Sequence, residues 1–453
     1  MKKNSTPETF PDIVVGLDIG TTKIATIIGI KNPDGKINVL GYGKGESTGV
    51  QHGLIFNITK TVDGINISKN TALSRFNQDF ENVFVGVAGR HIRSIEYKHT
   101  ITRRNGKEDI IRQEEIDGMV DDLENISVNP GEQIISVIPQ RFIVDRHRET
   151  TEPVGELGEI IEGYFQIITG NESEIKKIIR CVNQAELNVE AIILEPIASG
   201  LACLNYDEKK RGVVLVDIGG GTTDVAIFLE GKPVYTRVIP VGGNIITKDI
   251  AKVCRIPEEL AEKLKTNYGT CVVDKSNKNN YITIPQLPGM PPVQISETSL
   301  AQIINARVQE DILNEIKRAV QDSGYASKIT NGVVLTGGGA TLRHLKELCQ
   351  FTMHLPVRIG IPEVGFVGNI PAELKHPMYS TSLGLLKYGI EGLSEQRIER
   401  VHEETHNSSS GKKEKIKKPD QFKNEKKDNG SKRFEDILKS INNFFNDILE
   451  KTS

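Results

Sequence analysis

An apolar run that breaks at Asp-Ile-Gly, passes through threonines and returns as a second apolar run occurs twice in this chain. The first copy is Val15–Gly29 (VGLDIGTTKIATIIG) and the second is Val214–Leu229 (VLVDIGGGTTDVAIFL). Two apolar runs joined by a tight polar turn predict a β-hairpin. A turn crowded with glycine and small hydroxyl residues leaves its backbone N–H groups free to ring an anion. Either turn alone would be an ordinary glycine hairpin. The pair, in matching contexts, predicts two related halves that close on one phosphate-rich ligand.

Bulk properties fit that reading. A chain of 453 residues exceeds the roughly 250–300 at which single cores stop growing, so more than one folding unit is expected. Apolar content of 37% with 26% charged residues suits a soluble globular protein carrying some disordered mass. No uncharged apolar window reaches about 18 residues, which argues against a membrane-spanning helix. The N-terminal stretch MKKNSTPETFPDI lacks the apolar core of a secretion signal. Five cysteines, Cys181, Cys203, Cys254, Cys271 and Cys349, are scattered singly, which favours a reducing compartment over a disulfide framework or zinc site. The net charge of −3 gives no sign of a nucleic-acid partner, and none is expected.

Asp18 and Asp217 head the two turns, where a carboxylate faces the cation that accompanies ATP, often through water, because Mg²⁺ keeps much of its hydration shell. Gly20 in the first turn and Gly219, Gly220 and Gly221 in the second permit close approach to phosphate oxygens. Thr21, Thr22, Thr222 and Thr223 add hydroxyls, and Lys23 adds a positive charge. A third motif, Gly332–Leu342 (GVVLTGGGATL), predicts a strand running through Gly337, Gly338 and Gly339 into a helix. There a nucleotide can lie against bare backbone at a helix N-terminus, although a tight strand–helix turn reads the same way alone. Gly242 and Gly243 in Val241–Thr247 offer another bare-backbone approach. Arg307 and Glu310, one helical turn apart, either flank ribose or base or form a solvated surface bridge, and the bridge is the simpler reading.

Between these motifs, Arg90–Gly163 forms a strand-rich unit of ordinary small-domain size: a polar hairpin-like stretch to Asp109, a helix near Glu114–Ile126, then strands Gln133–Val144 and Ile160–Thr169. Glu174–Leu187 carries a helical apolar stripe. Lys248–Asn267 and Ser299–Ser323 are predicted helical, with a loop over Lys275–Pro292 between them.

The order of hairpin, hairpin and strand–GGG–helix resembles the actin-like ATPase superfamily, in which these are the phosphate 1, phosphate 2 and adenosine motifs. The resemblance implies a two-lobed α/β fold of the ribonuclease H-like type and ATP with Mg²⁺ as ligands. Leu194–Gly200 (LEPIASG) is similar to the segment that joins the lobes and carries the water-orienting acid. Glu195 falls there, as a carboxylate that polarises water or as a routine charge at a helix start.

Residues outside the shared motifs are similar to the FtsA family, the actin-like membrane tethers of the bacterial division ring. They are Asn82–Arg93 (NVFVGVAGRHIR), Ile135–Asp145 (ISVIPQRFIVD), Glu152–Gly170, with departures at Glu156 and Ile160–Tyr164, and Ile282–Arg307 (ITIPQLPGMPPVQISETSLAQIINAR). The resemblance implies subdomain 1A at 12–89 and 165–211, an inserted 1C (SHS2) subdomain at 90–164, 2A at 212–245 and 331–393, and 2B at 246–330. Subdomain 2B would bind the C-terminal peptide of FtsZ. The inserted subdomain would serve polymer contacts and later division proteins. ATP turnover would be slow at most.

Residues 403–433 are low in complexity. From 412 to 433 ten basic residues face four acidic ones, a net of +6, with too little apolar surface to fold. At 434–451 the pattern returns: Phe434, Ile437, Leu438, Ile441, Phe444, Phe445, Ile448 and Leu449 share one helical face. Burying those eight side chains would supply on the order of 10 kcal/mol before ordering costs. The basic tether would be drawn to anionic lipid at about 1 kcal/mol per charge near the surface. An interfacial membrane anchor is expected, and the family resemblance implies that it lies at the cytoplasmic face of the inner membrane at the division site. Docking on a partner or self-association is the alternative for a helix that also carries Glu435, Asp436, Asp447 and Glu450.

Two other readings share the scaffold. A sugar or acid kinase would have little use for a basic tether ending in an apolar helix. A pilus-assembly actin homologue carries the same inserted unit and is separated by that helix and the ITIPQLPGMPP segment.

Overall fold

The computed structural model describes residues 13–392, apart from 33, 77, 105–108, 285–291 and 367–369. The basic tether, the helix expected at 434–451 with all eight of its apolar positions, and part of the ITIPQLPGMPP segment lie outside the described residues.

The repeated sequence pattern is a repeated topology. Val14–Ile19 and Lys23–Lys31 form the first predicted hairpin, with Asp18 opposite Ala25. Ile37–Glu46 extends it, and the parallel strands Asn82–Val87 and Asn188–Leu194 complete a five-stranded sheet. In the second half, Val213–Ile218 and Thr223–Leu229 form the matching hairpin, Lys232–Ile239 extends it, and Val333–Thr336 and Val357–Ile359 are the parallel additions. Each sheet therefore runs in the order third, second, first, fourth, fifth strand of its own half. The opening strand of each hairpin is buried along its whole length. Strands covered on both faces read as unbroken apolar runs, which is how both appear in the sequence.

An antiparallel sheet of Arg93–Thr102, Ile160–Asn171, Glu132–Val144 and Arg148–Thr150 is inserted in the chain between the neighbouring strands Asn82–Val87 and Asn188–Leu194. Helix Gln113–Glu124 seals one of its faces with Ile116, Met119, Val120 and Leu123 against an edge-on pair, Phe142 and Phe165, 5.9 Å apart. The hairpin-like stretch expected before Asp109 is instead one strand, and its partner is the distant Ile160–Asn171.

The second lobe carries its own addition. The single helix expected over 248–267 is two, Gly243–Cys254 and Glu258–Tyr268, parted at Arg255 in the left-handed region (φ 53°) and at Pro257. The loop expected over 275–292 contains strand Tyr281–Ile284, paired with Val293–Ser296. Helix Glu297–Arg307 opens into a π-type stretch, Val308–Leu313, before continuing as Asn314–Asp322.

Two helices join the lobes. Glu195–Cys203 leaves the first sheet, and the helix from Ser380 onward packs against it so closely that a Cβ on Gly384 would meet the Ala198 carbonyl at 1.8 Å. The first turn of that second helix ends between the two hairpins.

Candidate functional site

The two turns are built alike. Gly20 N–H donates to the Lys23 carbonyl at 3.0 Å, and Gly219 N–H donates to that of Thr222 at 2.9 Å. Asp18 thus matches Asp217, Lys23 matches Thr222, and Ala25 matches Asp224. The turns meet face to face. A Cβ on Gly220 would stand 2.3 Å from Thr22 Cγ2, and one on Gly221 would stand 2.6 Å from Thr21 Oγ1. Any larger residue there would wedge the lobes apart.

Between the turns lies a small cavity of about 80 Å³, bounded by Asp18, Asp217, Asp224, Glu195 and Lys23 together with Gly337 and Gly338. It adjoins a larger cavity of about 410 Å³, and Thr22, Lys23, Gly219, Gly220, Gly338 and Met378 belong to both. The larger one is walled by Val308, Ile312 and Leu345 on apolar sides and by Glu262, Lys265 and Asn244 on polar ones. That volume lies within the range of small-molecule sites.

The electrostatics follow from crowding. Asp18 is buried and takes hydrogen bonds from Lys23 Nζ and, at 2.9 Å, from Ser382 Oγ. Asp217 Oδ2 takes one from Ser199 Oγ at 2.6 Å and one from Thr381 Oγ1 at 3.2 Å. Burial raises the Asp217 carboxyl above its ordinary range; the Ser199 bond opposes that and the charge of Asp18 adds to it. Asp224 is pushed well above the usual carboxylate range by burial and then by Asp217, against a hydrogen bond from Thr222. Its second oxygen, Oδ1, is buried with no hydrogen-bond partner. Glu195 is raised well above that range by burial and then by Asp18, Asp224 and Asp217, with Lys23 opposing. Four acids share one cavity with one lysine, which stores charge that a cation would relieve.

Gly337 is required on two counts. Its φ of +83° belongs to the left-handed region, and a Cβ would meet Asp217 Oδ1 at 2.3 Å. The helix expected directly after the three glycines begins only at Leu345. Gly338–Thr341 form a 3₁₀ turn instead, so the glycines present a turn rather than a helix end.

The structure brings together most of the residues singled out in the sequence. Asp18, Gly20, Thr21, Thr22, Lys23, Asp217, Gly219, Gly220, Thr222, Gly337 and Gly338 bound the small cavity with Glu195, and Gly243 and Gly339 bound the larger one. Gly242 lies beneath the turn, where a Cβ would meet the Gly219 carbonyl at 2.6 Å, and Gly243 N–H is spent on that same carbonyl at 2.9 Å. Thr223 turns its hydroxyl to the Val241 carbonyl. Arg307 and Glu310 border neither cavity. Arg307 is held by Asp249 and Asp311, so the pairing that the sequence assigned to Glu310 belongs to other acids. Val308 and Ile312, from the π-type stretch that follows Arg307, line the larger cavity.

The family model described as cell division protein FtsA matches residues 214–384, and that of the SHS2 domain inserted in FtsA matches 89–169. The cell division protein FtsA of Neisseria meningitidis is 36% identical over 371 residues, covering 82% of this chain and 88% of its own. That of Pseudomonas aeruginosa is 33% identical over 400 residues, covering 88% and 94%. The chain belongs to the FtsA family of cell division proteins.

The FtsA-family assignment agrees with the two-lobed actin-like fold and its inserted SHS2 sheet. A solved PilM–PilN type IV pilus biogenesis complex shares that fold, with a TM-score of 0.59 at 16% identity over 83% of this chain and 98% of that one. Among the described residues no helix is long and apolar enough to cross a membrane. The site residues that the sequence reading passed over are Asp224, Ser199, Thr381, Ser382, Glu262 and Lys265. Of these Asp224 carried a signal, since it stands in the repeated segment opposite Asp217.

Proposed function

We propose that this FtsA-family chain binds Mg²⁺-ATP between its lobes, assembles into actin-like filaments on the cytoplasmic face of the inner membrane, and anchors FtsZ there. The observation that carries the nucleotide part is the contact of Gly220 and Gly221 with Thr22 and Thr21, which sets two anion-ringing turns against each other over three buried acids and the half-buried Glu195. The turn N–H groups, the threonine hydroxyls and Lys23 suit phosphate oxygens. Asp18, Asp217 and Asp224 would hold a hydrated cation, and the orphaned Asp224 Oδ1 fits one. Bound there, Mg²⁺ supplies charge neutralisation for the phosphates.

The larger cavity would take the nucleoside, with its base against Val308, Ile312 and Leu345 and its ribose near Glu262 and Lys265. Lys265 is already fixed by the Gly243 carbonyl at 3.0 Å and Thr247 at 2.8 Å, so it is rigid enough to orient a sugar. Glu195, at the start of the helix that joins the lobes, would orient an attacking water. Turnover would be slow and regulatory, closing and opening the lobes around a polymer-competent shape.

The remaining assignments follow from family membership and the C-terminal sequence. The FtsZ tail peptide would dock within 246–330, the inserted unit at 90–164 would serve filament contacts and later division proteins, and 434–451 would lie in an anionic membrane surface. Co-sedimentation with anionic vesicles, with and without ATP and FtsZ, tests the whole. Deleting 434–453 should release the chain from vesicles and leave ATP affinity intact. Retained sedimentation after the deletion would remove the anchor from the proposal, and unchanged Mg²⁺-ATP affinity in Asp217→Ala would remove the nucleotide.

A further inference from the structure

A short hairpin outside the repeated motifs reaches into the cleft. Val50–Gln51 pairs with Leu54–Ile55, and the two residues between, His52 and Gly53, both have positive φ, 49° and 73°. That is the two-residue turn whose twist suits a tight hairpin. Its base is fixed in the first lobe, where Val50 and Ile55 are buried in the core. Its tip touches both phosphate-type turns at once. Gly53 N–H donates to Thr21 Oγ1 at 3.3 Å, and His52 Nδ1–H donates to the Gly221 carbonyl of the other lobe at 3.1 Å. Gly53 also borders the small cavity.

We infer that the His52–Gly53 turn is a latch that reads the terminal phosphate, so that His52 distinguishes a nucleoside triphosphate from a diphosphate. The inference rests on the nucleotide reading above. A ligand whose last phosphate fills the small cavity must sit beside Thr21 and the second turn, the two groups that this tip already holds. The Nδ1–H of His52 then fixes the second turn on that phosphate from the side of the first lobe. A diphosphate reaching only from the larger cavity leaves the tip without that role, and its affinity should not depend on His52.

His52→Asn and His52→Asp separate donor from shape. Asn-Gly and Asp-Gly are both favoured in a two-residue turn, and Asn Nδ2 stands where His Nδ1 stands, whereas Asp offers only an acceptor. Binding of Mg²⁺ with a non-hydrolysable ATP analogue, and of ADP, is measured on the full chain and both variants by calorimetry. His52→Asp should weaken the triphosphate analogue about tenfold or more and change ADP by less than about twofold. His52→Asn should stay within about threefold of the parent for both. Equal losses for the two nucleotides, no loss, or an Asn variant as weak as the Asp variant would overturn the latch while leaving nucleotide binding in place. A parent chain that binds neither nucleotide would overturn both.

Discussion

Thr381 and Ser382, neighbours in the chain, each hold a different one of the two turn aspartates. Thr381 Oγ1 donates to Asp217 at 3.2 Å, and Ser382 Oγ donates to Asp18 at 2.9 Å. One turn of one helix therefore fixes the spacing of carboxylates that belong to different lobes. Ser199, from the other joining helix, completes a triangle at 2.6 Å from Asp217 and 3.0 Å from Thr381. Rotation of either lobe must break or carry these bonds, so the hydroxyls couple lobe closure to the geometry of the acids.

Thr381→Val removes the hydroxyl and keeps the volume. A hydrogen bond to a charged group is worth about 1.5–3 kcal/mol, so Mg²⁺-ATP affinity should fall about tenfold or somewhat more. Combined with Ser199→Ala the losses should be less than additive, because both act through Asp217. Calorimetric titration of the four chains in the cycle checks this. Strict additivity would mean that the two hydroxyls act separately.

Gly337→Ala combines a strained φ with a clash against Asp217. Residues forced into such backbone regions cost about 1–3 kcal/mol. The variant should melt below the parent and lose most of its nucleotide affinity, since relief of the clash displaces the very carboxylate that the site needs. Gly338→Ala is the control for melting alone, because its Cβ would meet nothing closer than Met378 Cβ at 3.8 Å although it borders both cavities. Equal melting of the two variants would remove the strain assigned to Gly337.

The contrast between these residues explains what the sequence discloses. Asp18, Lys23 and Asp217 stand inside hairpins whose strands are neighbours in the chain, so local pattern alone places them. The match between halves also points to shared topology from the sequence alone. Asp224 stands in the second hairpin and is legible from its pattern, but not from a match between copies, because its counterpart in the first hairpin is Ala25. Thr381, Ser382 and Ser199 come from helices whose position depends on packing between lobes, and no spacing rule brings them to the aspartates. The pairing of the Arg93–Thr102 strand is hidden for the same reason, since its partner Ile160–Asn171 is remote in the chain. The partners of Arg307 are hidden in the same way, since one of them, Asp249, comes from a separate helix.

Asp224→Asn tests the stored charge. The folded carboxyl is held well above its free value of 3.8 by burial and by Asp217. A raised carboxyl binds its proton more tightly in the folded state, so its contribution to stability is full below 3.8 and is lost as pH climbs through the raised value. The unliganded parent should therefore lose stability across that window, and Asp224→Asn should lose less and melt higher at neutral pH. With Mg²⁺-ATP present the order should reverse, because the variant has given up a carboxylate that the cation uses. Melting curves over pH, with and without ligand, read both signs. A variant that melts below the parent without ligand would contradict the assignment.

Lys232 presents the opposite case, far from the cleft. It opens the edge strand Lys232–Ile239 of the second sheet, is 1% exposed, and its Nζ has no hydrogen-bond partner. The inserted sheet lies close by, with Gln140 Nε2 donating to the Pro233 carbonyl at 3.0 Å. Burial lowers the Lys232 amine from 10.5 to about 8, against the raising fields of Glu152 and Glu230. The unfolded chain binds this proton more tightly than the folded one between those values, so parent stability should rise as pH goes from about 8 to 10.5. Below that window the full penalty applies, about 3 kcal/mol from the size of the shift. Lys232→Met keeps the apolar stem and removes the charge, so it should stabilise the protein at neutral pH and abolish the rise. Denaturant unfolding at pH 7 and pH 10 measures the difference. A destabilised Met variant at pH 7 would mean that the amine has a bound water or acid that offsets its burial.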